Sequence, residues 1–322
     1  MLNLFSFLIF IPLQILLLPL GLVGVVLVAY KQMVVSNRLG SSQTAIEVLN
    51  GRWTMHVFDI RLDDAGEKLA RALPNTSTAG LWLVLFPLWL KYKISGRYFA
   101  YPKLPKEAEE TVVDLIIART IYIDRIIDRL VGDAEQFVVL GAGYDTRAYG
   151  ALKSRGVSFF EVDQIETQSL KIKWLGKANI AAGHVKFVSV NFTEDTLFDE
   201  LKSSGYDAAK KTVFLWEGVT LYLSEYDVRK MFREIGMCAI PGSSIVADIY
   251  ADRFVQLGKS KAGKKTLEFT DEGLNFGLPF DTGYESVLNS FIASENLNVG
   301  ETHFMGRANK KGPFAVVSEF TV

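Results

Sequence analysis

The sequence predicts an α/β protein: a doubly wound, mostly parallel sheet with an antiparallel C-terminal hairpin, preceded by a helical, membrane-associated N-terminal region. Three observations carry this. From about residue 109 onward, short β-rich apolar runs alternate with helical stretches, the pattern of buried parallel strands joined by crossovers. The last two runs have no helical pattern between them, as a hairpin requires. From Leu2 to Tyr30 there is no charged residue, and roughly 20 apolar residues in a helix cross a bilayer core.

Residues 1–30 are the predicted anchor. Pro12 and Pro19 interrupt it, which leaves a tilted span and a re-entrant hairpin both open. A secretory signal peptide is shorter, with a basic start and a small-residue cleavage site, and neither mark is clear here. Lys31 and Arg38 follow the segment and no side-chain charge precedes it. That asymmetry predicts a membrane protein with its bulk on the cytoplasmic side.

Residues 31–108 read as a helical, partly interfacial region. Within it "AGLWLVLFPLWLKYK" (79–93) is apolar for twelve residues and then basic, too short a run to cross a membrane. Trp82 and Trp89, followed by Lys91, Lys93 and Arg97, suit a helix at lipid headgroups. The bilayer is therefore an expected partner through residues 1–30 and again through 79–97. A helix that simply covers the core of the next domain is the alternative, and the two are compatible.

Residues 109–322 form the third region. Its strands are "FVVLG" (137–141), "SFFEVD" (158–163), "VKFVSVN" (185–191), "TVFLWEG" (212–218) and "SSIVADIY" (243–250), then "LNVGETHF" (297–304) and "PFAVVSEFTV" (313–322). "KSKAGKK" (259–265) reads as a solvated loop, with contact to anionic lipid as the alternative. The net charge of −1 provides no basic surplus for a nucleic-acid partner. Cys238 is the single cysteine, which excludes a disulfide framework. His56, His184 and His303 lie far apart, and no metal site is expected.

The run "FVVLGAGYDTRAYG" (137–150) places a Gly-x-Gly bend after the first strand and before an expected helix, where open α/β sheets bind nucleotides. Glycine there lets the backbone bend sharply and approach a ligand. Asp163 ends the next strand, twenty residues after Gly143, where an acid accepts from both ribose hydroxyls. Thr146 stands where a dinucleotide fingerprint has its third glycine. Asp145 beside the turn would repel a phosphate, and no P-loop occurs. An adenosine without phosphates and with a cationic far end fits better, as in S-adenosyl-L-methionine.

"ETVVDLIIARTIYIDRIIDRL" (110–130) reads as an amphipathic helix with Val112, Ile116, Ile123, Ile127 and Leu130 on one face. Arg119 falls in the middle of that face. A buried guanidinium needs an acidic partner, either a structural carboxylate or the carboxylate of a ligand held in bidentate fashion.

Five motifs in order, "ART" (118–120), "LGAGYDTRAY" (140–149), "EVD" (161–163), "FVSVNFTED" (187–195) and "LWEGVTLYL" (215–223), resemble the leucine carboxyl methyltransferase family, most of all its bacterial-type S-adenosylmethionine-dependent O-methyltransferases. The resemblance covers about 110–225, and the N-terminal apolar segment is not part of the family's usual pattern. It implies a seven-stranded, Rossmann-like methyltransferase sheet. It also implies that Arg119 holds the methionyl carboxylate, that the Gly141–Ala142–Gly143 turn passes under the cofactor, and that Asp163 clasps the ribose. Glu217 would lie by the cofactor's amino-acid portion. Asn191 stands where the family carries an acid, its carbonyl able to meet the adenine amino group, with Phe192 beside the base. Tyr222 faces either the substrate or the core, and with Glu217 it is the candidate catalytic pair. A carboxylate acceptor is ionised at neutral pH and needs no general base, whereas an alcohol or phenol would need one, with Glu217 the first suspect; the expected substrate is an amphipathic or peptide carboxylate. A nicotinamide-dependent oxidoreductase and an inactive, membrane-tethered binding protein are the alternatives.

Overall fold

In a computed structural model that describes residues 2–259 and 273–322, the chain falls into two units. The first comprises residues 1–104 with 144–146 and 170–180; the second comprises 105–143, 147–169 and 181–322. Apart from Lys259, the "KSKAGKK" segment lies outside the described residues.

The first unit is helical: α1 (Leu2–Ala29), α2 (Ser36–Leu39), α3 (Gln43–Val57), α4 (Asp64–Ala72) and α5 (Thr78–Ser95). Pro12 and Pro19 lie within α1, which continues through both without reversing; the re-entrant hairpin left open within 2–30 is not formed. A π-helical turn, Tyr30–Val35, carries the rod on into α2. α1 has only Ser6 and Gly24 buried. It runs antiparallel along α5. At one end Gly24 and Gly80 let the backbones touch: a Cβ on Gly24 would stand 2.6 Å from the Gly80 carbonyl oxygen. At the other end Phe7 meets Phe99 edge-on at 4.9 Å.

Lys91 departs from expectation. It is 2% exposed instead of lying among headgroups, because its ammonium is turned toward the start of α1. There it donates to Asn3 Oδ1 at 3.3 Å and sits 4.5 Å over the Phe7 ring. Lys93 instead reaches Asp59 at 2.5 Å.

Tyr144–Thr146 also belong to this unit. Tyr144 OH bonds Ser41 Oγ at 2.8 Å, Thr146 Oγ1 donates to Asp63 Oδ2 at 2.7 Å, and Asp145 pairs with Arg52 at 2.9 Å with both side chains buried. The expected repulsion of phosphate by Asp145 therefore does not hold, since Arg52 neutralises it. Three consecutive side chains are thus held by Ser41, Arg52 and Asp63. Only a 3-10 turn, Arg147–Tyr149, follows the glycine bend, where an α-helix was expected.

The second unit is built on β1 (Gln136–Leu140), β2 (Ser158–Asp163), β3 (Val185–Ser189), β4 (Thr212–Trp216), β5 (Ser244–Tyr250), β6 (Asn298–Met305) and β7 (Ala315–Thr321). Their order is β3-β2-β1-β4-β5-β7-β6. The first five are parallel, and β7 runs antiparallel to both neighbours. This is the predicted sheet with its C-terminal hairpin. β1, β4 and β5 are buried at every position, which explains their unbroken apolar runs.

The helices of this unit are α6 (Leu115–Leu130), α8 (Leu197–Ser203), α9 (Glu225–Cys238), α10 (Asp252–Lys259) and α11 (Tyr284–Ala293); α7 (Ile165–Lys177) contributes its start. α9 is stopped at its N-terminus by Ser224, which accepts from the Asp227 N–H. Phe160, Phe214, Trp216, Phe232, Phe291 and Phe320 join one core cluster across sheet and helices. Each such side chain contributes roughly 1.5–3 kcal/mol by leaving water.

On α6 the buried face is Ile117, Arg119, Tyr122, Ile123, Ile126 and Ile127. Val112, expected on that face, is 52% exposed because Val112–Asp114 form a 3-10 turn before α6 begins, which breaks the helical phase.

Candidate active site

In a doubly wound sheet, ligands collect beyond the C-terminal strand ends where the strand order reverses. Here that point lies between β1 and β4. Gly141 follows β1, Asp163 ends β2, Glu217 follows β4, and Asp248 and Tyr250 lie on β5. One crevice edge of the second unit thus brings Asp163, Glu217 and Asp248 to the ends of three parallel strands.

The bend after β1 is held by backbone bonds from Gly141 and Ala142 to the Val162 carbonyl, at 2.8 and 3.0 Å. Gly141 has φ +67° and Gly143 φ +42°, conformations that a side chain disfavours. A Cβ at Gly141 would collide with the Val219 side chain, so the close neighbour this glycine accommodates is Val219. Gly143 N–H donates to Asp163 Oδ2 at 2.7 Å and Gln164 N–H donates to Oδ1 at 2.8 Å. The predicted ribose acid and the predicted turn are therefore joined directly.

Arg119 enters from α6 with its side chain 5% exposed. Its Nε donates to Glu217 Oε1 at 3.1 Å, and its Nη1 donates to Asp248 Oδ2 at 3.2 Å and to Tyr250 OH at 2.6 Å. Nη2 donates to no described residue. Gly218, with φ +69°, lies against the guanidinium; a Cβ there would stand 3.2 Å from Nη1. Arg147 takes the other Glu217 oxygen through Nη1 at 2.8 Å and gives Nε to Asp124 at 2.6 Å. Asp248 also accepts from the Gly218 N–H at 2.7 Å and from Tyr250 OH at 2.6 Å.

Burial opposes the charge on Arg119, but Tyr250, Glu217 and Asp248 outweigh it and raise its pKa, so the guanidinium stays protonated. Burial pushes the Asp248 carboxyl above its ordinary value, against the pull of Arg119. It also raises the Tyr250 phenol, again against Arg119. Fully ionised, the cluster sets three carboxylates against two guanidiniums and is negative by one.

The remaining predicted residues stand apart from this cluster. Asn191 follows β3, and its Oδ1 accepts from Thr193 N and Oγ1 at 3.2 and 2.8 Å, which uses both lone pairs. Phe192 is half-buried against the core cluster. Tyr222 ends a 3-10 turn, Thr220–Tyr222, half-exposed, with its carbonyl held by Asn275 Nδ2 at 2.8 Å. Arg147, Asp248 and Tyr250 were missed in the sequence. Their signals were an arginine two residues past Asp145 and an acid within the apolar run "SIVADIY". Among the described residues no group of three or more His, Cys, Asp or Glu side chains is arranged to hold a metal.

The sequence model of one family, leucine carboxyl methyltransferase, matches residues 69–236. A Bacillus subtilis protein, YktD, named provisionally as an S-adenosyl-L-methionine-dependent methyltransferase, is 33% identical over 151 residues, which is 46% of this chain and 49% of that protein. A Frankia alni protein with the same provisional description is 32% identical over 166 residues, 49% of this chain and 58% of that one. The chain thus spans about half the length of the curated relatives it matches. Likeness to solved structures is loose. Magnesium protoporphyrin IX methyltransferase from Synechocystis gives a TM-score of 0.43 at 10% identity, over 69% of this chain and 90% of that one. An O-methyltransferase family protein from Burkholderia thailandensis gives 0.41 at 16%, over 63% and 59%. On the family match, which takes in the glycine bend, Arg119, Asp163 and Glu217, the chain belongs to the leucine carboxyl methyltransferase family, whose cofactor is S-adenosyl-L-methionine.

Proposed function

We propose that the protein is an S-adenosyl-L-methionine-dependent O-methyltransferase that methylates a carboxylate on an amphipathic or membrane-associated substrate, at the cytoplasmic face of a membrane. The observation that carries the cofactor half is the Arg119 guanidinium, buried and charged, with Nη2 uncommitted among the described residues.

The residues present fit such a ligand. A methionyl group offers a carboxylate and an ammonium. The Nη2 edge suits the first, and the Glu217 carboxylate at the tip of β4 suits the second. Asp163, tied to the glycine bend at 2.7 Å, is the acid for the ribose. When bound, the cofactor supplies an electrophilic methyl group on a sulfonium.

Glu217 has each oxygen on a different guanidinium and acts as the post that orients Arg119, with Arg147 bracing it from the far side. A carboxylate acceptor arrives ionised, so no residue has to remove a proton. Bringing it in line with the methyl group and excluding water from the pair supplies the acceleration. The family description and the apolar α1 motivate the acceptor class: the first suggests a carboxyl oxygen, the second a lipidic setting.

The test has two arms. Thermal melting of the purified protein with S-adenosylmethionine or NAD identifies the cofactor, since only a ligand of the native state raises the midpoint. Tritium-methyl transfer into membrane extract, followed by base treatment, identifies the product: a carboxyl methyl ester releases volatile methanol. Stabilisation by NAD alone, or label that resists base, would reject the corresponding half.

A further inference from the structure

We propose that α1 and α5 form a one-leaflet anchor: the pair lies in the plane of the membrane, α1 does not cross it, and the groove between the two helices seats an acyl chain of the surrounding lipid. This anchor presupposes the membrane attachment proposed above and gives it a geometry.

α1 is apolar on every side, and a helix of that kind has to be covered by protein or by lipid. Protein covers one side only. Leu4, Leu8, Ile15, Leu16, Leu22 and Val26 are 60–74% exposed along its whole length. Lipid is the medium that completes their burial.

A spanning pose does not suit the pair. α1 is fastened to α5 at both ends, by the Gly24–Gly80 contact and by Lys91 over Phe7. α3 lies along another side of α5, with Trp53 5.6 Å from Trp82 and Phe58 5.8 Å from Tyr92. Standing α1 upright would carry α3, with Glu47, Arg52 and His56, into the hydrocarbon, where such residues are expelled unless they line a polar path.

Charge agrees. In the sequence, cations follow α1 and none precede it. In the folded unit Arg97 is brought to the end where α1 begins, its carbonyl accepting from Lys91, while Lys31 and Arg38 stand beyond its other end. A span carries its cations preferentially on one side, whereas this pair carries them at both ends. Headgroups of a single anionic leaflet would meet both.

The groove between the helices has a volume of about 400 Å³ and is lined by Leu17, Leu20, Trp82, Leu83, Phe86 and Trp89. With no polar lining residue it suits hydrocarbon and not a headgroup, and paired tryptophans favour interfacial depth.

The experiment uses the full chain with Cys238→Ser, bearing single probes at cysteines replacing Leu4, Ile15 and Val26. It is added from outside to vesicles of phosphatidylcholine and phosphatidylglycerol. An in-plane anchor gives all three probes the same shallow depth by lipid-borne quenchers, and a cysteine replacing Leu2 reacts with an impermeant maleimide in intact vesicles. A span makes Ile15 deepest and shields position 2 until the vesicles are opened; that result overturns the anchor but leaves membrane attachment standing. Failure to float with vesicles overturns the attachment itself, while cofactor binding, measured in parallel, is unaffected. For the groove, acyl-brominated lipid should quench tryptophan fluorescence, and W82F/W89F should remove more than half of that quenching. Quenching unchanged in a double variant that still binds cofactor would show that no chain sits there.

Discussion

Arg119 and Arg147 meet on one carboxylate, the Nε of the first on Glu217 Oε1 at 3.1 Å and the Nη1 of the second on Oε2 at 2.8 Å. Neither arginine is placed independently: α6 and the 3-10 turn after β1 reach the tip of β4 through the same side chain. A change to any of the three is felt by the other two.

Arg119→Ala removes the partner of two buried carboxylates. The expected loss of stability is about 3–5 kcal/mol, the range for an ion left unpaired in an interior. Cofactor affinity should fall at least tenfold, about 1.4 kcal/mol, by calorimetry. Arg119→Lys restores charge without the planar fork, so it should recover stability better than affinity. Equal recovery of both would mean that the guanidinium serves only Glu217 and Asp248.

Asp163→Asn keeps an oxygen for the Gly143 N–H but turns its NH2 toward the Gln164 N–H, so it should lower the melting temperature modestly, by the loss of one hydrogen bond of about 1 kcal/mol. Its amide accepts less well from two sugar hydroxyls, and the dissociation constant for S-adenosylhomocysteine should rise about tenfold, or about 1.4 kcal/mol. Titration calorimetry on the folded variant separates the two effects.

Gly141→Ala should destabilise by about 1–3 kcal/mol, since it combines a left-handed backbone with overpacking against Val219. Adding Val219→Ala should return only part of this, because it relieves the collision and not the backbone strain. Urea denaturation of the single and double variants measures both parts.

Acid should weaken the helical unit through Asp63. Burial raises its pKa, but Arg61 and the hydrogen bonds from Thr146 and Gly66 outweigh that, and the net value lies below the ordinary 3.8. A carboxyl with a lowered folded-state pKa stabilises above the unfolded value and loses that contribution as pH falls through its folded one. The melting temperature should therefore drop below pH 3.8 in the native chain and less steeply in Asp63→Asn, which keeps an N-cap for α4.

Deleting residues 1–30 should not yield a well-behaved soluble protein. α1 covers one side of α5, and its removal bares Gly80, Leu83 and Val84, which pack against Gly24. The truncated chain should elute as aggregates or pellet with vesicles. A monodisperse, soluble peak on size exclusion would show that α1 covers nothing that matters.

The strands were legible because buried parallel strands are continuous apolar runs, and each run of the sequence became a strand of the sheet within two residues. Arg119 was legible as an apolar-face anomaly, and so was its need for an acid. The identity of that acid was not: Asp248 lies 129 residues away, on a strand that reads as plain core. The missing helix after the glycine bend and the neutralised Asp145 share one cause. Local pattern gives no sign that Ser41, Arg52 and Asp63 claim Tyr144, Asp145 and Thr146 in turn. Lys91 misled for the same reason, since its burial depends on where the first turn of α1 comes to rest.

The touching backbones of Gly24 and Gly80 reach back to the gene. Every missense change that a single base can make in a glycine codon adds a Cβ, and at position 24 that atom would stand 2.6 Å from a carbonyl oxygen. At these two codons only silent drift preserves the junction, so a population should carry synonymous variants there and purge the rest.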